Sequence, residues 1–310
     1  MREPLTQTLE HRASDLLASS REVGFSLSGP SGTIAFAQHA PLVLIAGMNV
    51  LEDETTTTQV AAQLKRSCAA LEIPLVFKAS FDKANRSSHS SPTGPGLERG
   101  LTQLATIRDT LQLPILTDVH APEQVPAVAE VADIVQIPAF LCRQRDLIRA
   151  AAESGRPLHI KKMQLMAPEE MGRVLARCRA YGAERVILCE RGVSFGYHRL
   201  VVDPLAFPIL TSLGAPVSFD VTHALQLPGL GEASGGRGIY TEPLARAAVA
   251  TGISALFLEC HPEPSRALCD GPSALPLAEV EPLLRRLKMI DHLVKSPRFM
   301  ANEDEHARIS

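Results

Sequence analysis

Tryptophan is missing from this chain of 310 residues, and aromatic residues make up only 4% of it. Burial must therefore rest on Leu, Ile, Val and Ala. An excess of one charge is missing too: 31 Lys and Arg face 34 Asp and Glu, a formal net charge of −3. No global basic field draws nucleic acid or a membrane surface, so any anion site must be assembled locally. The six cysteines (Cys68, Cys142, Cys178, Cys189, Cys260, Cys269) show no CxxC spacing and read as reduced thiols. No apolar run approaches the roughly 18 residues of a membrane span. Residues 1–20 carry charges and no apolar signal segment. These absences predict a soluble, cytoplasmic protein.

A hydrophobic fraction of 45% is enough for a large self-sufficient core. Residues 1–40 differ from the rest. Leu5, Leu9, Leu16 and Leu17 suit one face of a short helix, and residues 24–40 read as a β-hairpin capping the main domain. From residue 41 to 294, short apolar runs alternate with amphipathic stretches. Strands are expected at 42–46, 75–78, 115–118, 134–137, 158–161, 186–189, 217–220 and 255–259. Helices are expected at 60–71, 97–111, 146–154, 168–181, 244–251 and 279–294. Eight β/α units over about 250 residues imply an α/β fold, a closed TIM (β/α)8 barrel; an open doubly wound sheet is the alternative. Residues 295–310 read as a polar, frayed tail.

Chemistry-bearing residues follow every strand. They are Asn49; Lys78, Ser80 and Lys83; Asp118 and His120; Gln136; Lys161 and Lys162; Glu190 and Arg191; Asp220 and His223; Glu259 and His261. In such a barrel the carboxyl ends of the strands form one mouth, where these groups converge. A single charged residue after a strand needs only solvation to explain it; all eight together need a pocket. Lys78, Lys83, Lys161 and Arg191 would form a cationic cluster suited to a compact ligand bearing phosphate and carboxylate. Lys162 reads as paired with a nearby carboxylate and is left out of the site. Asn85, Arg86 and Ser87, on the loop after Lys83, are a common phosphate-holding combination.

His223, Glu259 and Asp270 have the makings of a divalent-ion site, whose natural fourth ligand would follow strand one. That residue is Asn49, a poor ligand for a softer transition metal. The reading is a hydrogen-bonded polar pocket without metal or cofactor. The segment ASGGRG (233–238) lacks the dinucleotide-binding pattern and reads as a mobile loop.

GMNVLE (47–52), FKASFDKANRSS (77–88), TDVHAPEQ (117–124), VQIPAFLCRQ (135–144), KKMQ (161–164), CERGVSFGY (189–197), FDVTHALQ (219–226) and CDGPSALPL (269–277) resemble the 3-deoxy-D-manno-octulosonate-8-phosphate synthases. The likeness runs unbroken from 42 to 294. It implies condensation of phosphoenolpyruvate with arabinose 5-phosphate and water, a step toward the Kdo sugar of lipopolysaccharide. It assigns Lys78, Lys83, Lys161 and Arg191 to phosphoenolpyruvate, assisted by Ser80 and Gln136. Asn85, Arg86 and Ser87 would hold the sugar phosphate across a subunit interface of a homotetramer, with Asp118 touching a sugar hydroxyl. Asn49 marks the metal-independent class, leaving His223, Glu259 and Asp270 as a vestigial metal site. Lys83 would polarise the aldehyde oxygen. His223, Asn49 and a substrate phosphate are the candidates for activating the water.

The chain departs from the family in RSSHSSPTGPG, where Pro92 and Thr93 replace an aromatic residue and an Arg, and in Met163, which replaces Pro. The first departure leaves room for another aldose phosphate. The remaining alternative is a barrel that binds anions without catalysis.

Overall fold

The computed structural model describes residues 24–29, 32–83, 92–227, 235–297 and 299. Eight parallel strands close into a barrel: β3 (Val43–Val50), β4 (Leu75–Ser80), β5 (Ile115–Asp118), β6 (Ile134–Ile137), β7 (Leu158–Lys161), β8 (Val186–Glu190), β11 (Val217–Asp220) and β14 (Ala255–His261). Pairing of β11 with β14, and of β14 with β3, closes the ring. The closed barrel expected from the sequence is thus present, and the open sheet is excluded. Each expected strand is found, and β3, β4, β8 and β14 run one to four residues further toward the mouth than the apolar runs suggested.

Helices stand between the strands, and those expected from periodicity are present with small shifts of boundary. The longest are Glu54–Ala70, Leu97–Leu111 and Leu277–Val294. Asp53 caps the first by accepting the Thr56 amide at 2.9 Å, a cap that extends the helix six residues before its expected start. The helix expected at 168–181 divides into a 3-10 turn, Pro168–Glu170, and an α-helix, Met171–Ala180.

Strand alternation sorts the barrel residues into two apolar cores. Outward residues such as Leu44, Phe77, Val135, Ile160, Leu188, Phe219 and Leu258 pack against the helices. Inward residues Val43, Ile45, Val76, Leu116, Ile134, Ile187, Ala255 and Phe257 fill the amino-terminal half of the bore. The hairpin β1 (Gly24–Gly29) and β2 (Gly32–Ala37) closes that end. Its Leu27 and Phe36 are buried in the inner core, and Phe25 stacks on Phe36 with 5.2 Å between centroids. The capping hairpin of the sequence reading is therefore present; residues 1–23, including the leucines assigned to a short helix, lie outside the described residues.

Besides the hairpin, five smaller strands lie outside the ring among the described residues. β9 (Val193–Gly196) and β10 (Arg199–Val201) form a hairpin after β8. β12 (Gln226–Leu227) pairs with β13 (Gly235–Gly236), so the part of 233–238 that the structure describes is an ordered ribbon, not the loop expected. Arg237 anchors it by donating to the carbonyls of Leu200 at 3.0 Å and Ala224 at 3.4 Å. β15 (Leu275–Pro276) pairs in parallel with the mouth end of β14. Lys295, expected to begin a frayed tail, is instead held, with its side chain largely covered. Its ammonium bonds Asp291 at 2.7 Å and the carbonyls of Ala40 and Ile253 at 2.8 and 3.0 Å. All six cysteines are buried and none forms a disulfide, and no described helix is long and apolar enough to cross a membrane.

Candidate active site

The inward face changes character halfway up the bore. Two residues beyond the apolar layer, the same alternation places Lys78 above Val76, Asp118 above Leu116 and Gln136 above Ile134. Ser80, Asn49, Lys161, Asp220 and Glu259 continue it toward the mouth. Every one of these polar side chains is buried. Gly47 occupies the inward position below Asn49 because any Cβ there would strike the Lys78 carbonyl. Lys162 falls one residue out of phase with Lys161. It points into the outer layer, pairs with Glu190 at 3.4 Å and donates to the Met166 carbonyl at 3.1 Å, as expected for a residue outside the site.

The structure brings Lys78, Lys83, Lys161 and Arg191 to one mouth, but not as a bare cationic ring. Lys78 pairs with Glu259 at 2.7 Å and donates to the Asn49 carbonyl at 3.0 Å. Lys161 pairs with Asp220 at 2.6 Å, and its ammonium lies 3.8 Å from the centroid of the Phe257 ring. Lys83 donates to Ser80 Oγ at 2.9 Å. Arg191 meets neutral oxygens, the His223 carbonyl at 3.4 Å and Gln226 Oε1 at 3.1 Å. With Asp118 and Asp270, four acids stand among the four cations. The ion pairs of Lys78 and Lys161 are made with acids on the barrel strands themselves. Such charges are buried only because they are paired and hydrogen-bonded.

Burial and pairing pull these groups in different directions. Burial lowers Lys78 to about 8 against the attraction of Glu259. Burial also works against charging Lys83, yet Asp118 and Glu259 outweigh it and hold the ammonium above its ordinary range. Burial would raise Glu259, but Lys78 and His223 bring it down to about 2. Asp118 and Asp220 lie well below the usual carboxylate range. Burial is outweighed at the first by Lys83 and His120, and at the second by His223 and Lys161.

His223, Glu259 and Asp270 do converge, with potential ligand atoms within 4.8 Å of one another. Asn49 decides what the cluster suits. Its Nδ2 donates to Glu259 Oε2 at 2.6 Å and to Asp270 Oδ2 at 2.9 Å. The amide hydrogens thus occupy carboxylate oxygens that a cation would need. Asp220 orients His223, with 2.8 Å between Oδ2 and Nδ1. Asp270 reaches the mouth in the left-handed region at φ 51°. Its loop is fastened by Glu52, which meets His261 at 3.3 Å and the Leu268 amide at 3.1 Å.

The assigned sugar-phosphate residues Asn85, Arg86 and Ser87 lie outside the described residues. The Lys83 amide donates to the Thr93 carbonyl at 2.8 Å. Pro92 and Thr93 themselves are exposed. Met163 is partly buried against the outer core, and the Lys162 amide still bonds the Cys189 carbonyl at 2.8 Å, so Lys161 is held without the family's proline. Sequence reasoning passed over His159, Ser218, Phe257 and Glu52. His159 had a signal: a polar ring in an apolar strand, two residues before Lys161 and hence on the same face.

Residues 19–296 match the DAHP synthetase I family. A 2-dehydro-3-deoxyphosphooctonate aldolase of Acinetobacter baumannii (strain SDF) is 53% identical over 265 residues, covering 85% of this chain and 93% of that protein. The protein of the same name from Parasynechococcus marenigrum is 53% identical over 269 residues, covering 86% and 95%. That from Acinetobacter baylyi is 52% identical over 265 residues, covering 85% and 93%. With its closed barrel and its polar mouth, the chain belongs to the DAHP synthetase I family.

Proposed function

We propose that this enzyme condenses phosphoenolpyruvate with D-arabinose 5-phosphate and water, giving 3-deoxy-D-manno-octulosonate 8-phosphate and inorganic phosphate. The observation that carries this reading is the convergence of Lys78, Lys83, Lys161 and Arg191 at one mouth, all but Lys83 buried. Because the site's net charge is balanced, recognition rests on directed donors. Lys83 and Arg191, whose hydrogen bonds go to neutral oxygens, are the groups most ready to meet phosphate and carboxylate. Ser80 and Gln136 add neutral contacts.

In the reaction C3 of the enol attacks the aldehyde carbon and a C–C bond forms. Water adds at C2, and cleavage of the C2–O bond then releases phosphate and leaves a ketone. Lys83 stabilises the aldehyde oxygen as it gains charge and a proton. The carboxylates held ionised at Asp220 and Glu259 stabilise positive charge developing at C2. Asp118 takes a sugar hydroxyl, and Asn85, Arg86 and Ser87 take the sugar phosphate. Holding both phosphates aligns the reacting carbons, which is worth several kcal/mol. His223 and the substrate phosphate are the groups suited to receive the proton of the water, which Asn49 Oδ1 can orient by accepting a hydrogen bond.

The reading includes metal independence, supported by the two hydrogen bonds of Asn49 to the acids of the cluster. It also includes a cytoplasmic homotetramer sharing the sugar-phosphate loop across an interface. Exposed Phe195, Tyr197 and Ile239 supply apolar surface that such an assembly would cover. Phosphate release with phosphoenolpyruvate and aldose phosphates of four, five and six carbons tests the proposal. Turnover should be greatest with arabinose 5-phosphate; a preference for another sugar would reassign the substrate, and no release with any would remove the activity.

A further inference from the structure

We infer that His159 is a positioning residue that fixes the side-chain amide of Gln136 with its NH2 end available to phosphoenolpyruvate. The inference rests on the reading of the mouth as the phosphoenolpyruvate site. Gln136 and His159 are register partners on β6 and β7, and both are buried. His159 Nδ1 lies 3.0 Å from Gln136 Oε1, and Nε2 lies 2.8 Å from Ser218 Oγ. Burial lowers the imidazole to about 3, so at neutral pH the ring is uncharged and has one N–H. An amide oxygen only accepts hydrogen bonds. Nδ1 therefore carries the proton and donates to Gln136, while Nε2 accepts from the Ser218 hydroxyl.

The amide is planar and its two ends diverge. Holding Oε1 against the imidazole turns Nε2 away from it. A phosphate or carboxylate oxygen can use the NH2 end and is repelled by the carbonyl end. The tautomer of a buried histidine thus decides whether Gln136 attracts or rejects the substrate. The ring is itself held in place. It stacks on Phe257 at 5.8 Å and 13°, and Phe257 also carries the Lys161 ammonium.

The test uses the full-length enzyme with His159→Phe, which keeps an aromatic ring but cannot donate, and His159→Asn, whose NH2 can reach Gln136 Oε1. His159→Phe should raise the KM for phosphoenolpyruvate about tenfold, the scale of one lost hydrogen bond to a charged ligand, and leave the KM for the sugar phosphate unchanged. His159→Asn should restore it to within about twofold of wild type on the same scale. If His159→Phe does not fold, Ser218→Ala carries the test. Freeing Nε2 should raise the same KM about threefold with no change for the sugar. An unchanged phosphoenolpyruvate KM in a folded variant, or equal rises for both substrates, would overturn the inference. Calorimetric titration with phosphoenolpyruvate separates the two ideas: wild type that binds none defeats the site reading, whereas equal binding by wild type and His159→Phe defeats only the role of His159.

Discussion

The lower and upper halves of the barrel bore are built by the same strands, one alternation step apart, and they do opposite work. Below, Val76, Leu116, Ile134 and Phe257 meet the hairpin's Leu27 and Phe36 in a dry core. Above, Lys78, Asp118, Gln136 and Asp220 are as deeply buried yet ionic or polar. Burial stabilises the fold in the first half. In the second it costs free energy that pairing must offset, and the pairs are then available to a ligand that can exchange with them. Position along the strand, more than residue type, separates structure from chemistry.

The sharpest separation is expected from two truncations. Lys83→Ala should lower turnover by at least about 1,000-fold, the scale of a lost electrostatic group at a reacting oxygen, in a protein that still folds. Phosphate release and thermal unfolding measure the two sides, and retained activity would remove Lys83 from the mechanism. Phe36→Ala should do the reverse. It should cost about 3–5 kcal/mol of stability in denaturant unfolding while the folded fraction turns over at the wild-type rate. Lost activity in fully folded Phe36→Ala would show that the two halves are coupled.

A smaller effect is expected from pH. Burial lowers Lys78 to about 8, so its ammonium is lost at a lower pH than that of an exposed lysine. The sign follows: kcat/KM for phosphoenolpyruvate should fall as pH rises through that region, by about tenfold per unit beyond it if one proton controls binding. A profile flat to pH 10 would mean that Lys78 binds as well uncharged. The smallest effect is expected from chelation. A strong chelator should leave phosphate release unchanged, because Asn49 already satisfies Glu259 and Asp270; loss of activity restored by a divalent ion would overturn that assignment.

The eight strands were legible because each is a short apolar run flanked by turn residues, and burial on both faces produces such runs. Lys78, Lys161 and Gln136 stood out as polar residues embedded in them. The acidic complement was less legible. Asp220 and Asp118 appear in sequence as ordinary strand-end carboxylates, and only closure of the ring shows that Asp220 meets Lys161, 59 residues away. The ribbon at Gly235–Gly236 was misread because two glycines carry no strand signal; their pairing with Gln226–Leu227 depends on neighbours supplied by the tertiary fold. His159 was hidden by its apolar strand, where period-two alternation alone distinguishes a lumen residue from a core one.

Calorimetric titration of phosphoenolpyruvate into the wild type and into Lys78→Met, Lys83→Met, Lys161→Met and Arg191→Met reaches the central point most directly. One molecule per chain should bind the wild type, and each single replacement should weaken that same event by at least about tenfold. Undiminished binding in two or more of the folded variants would mean that these cations do not share one ligand.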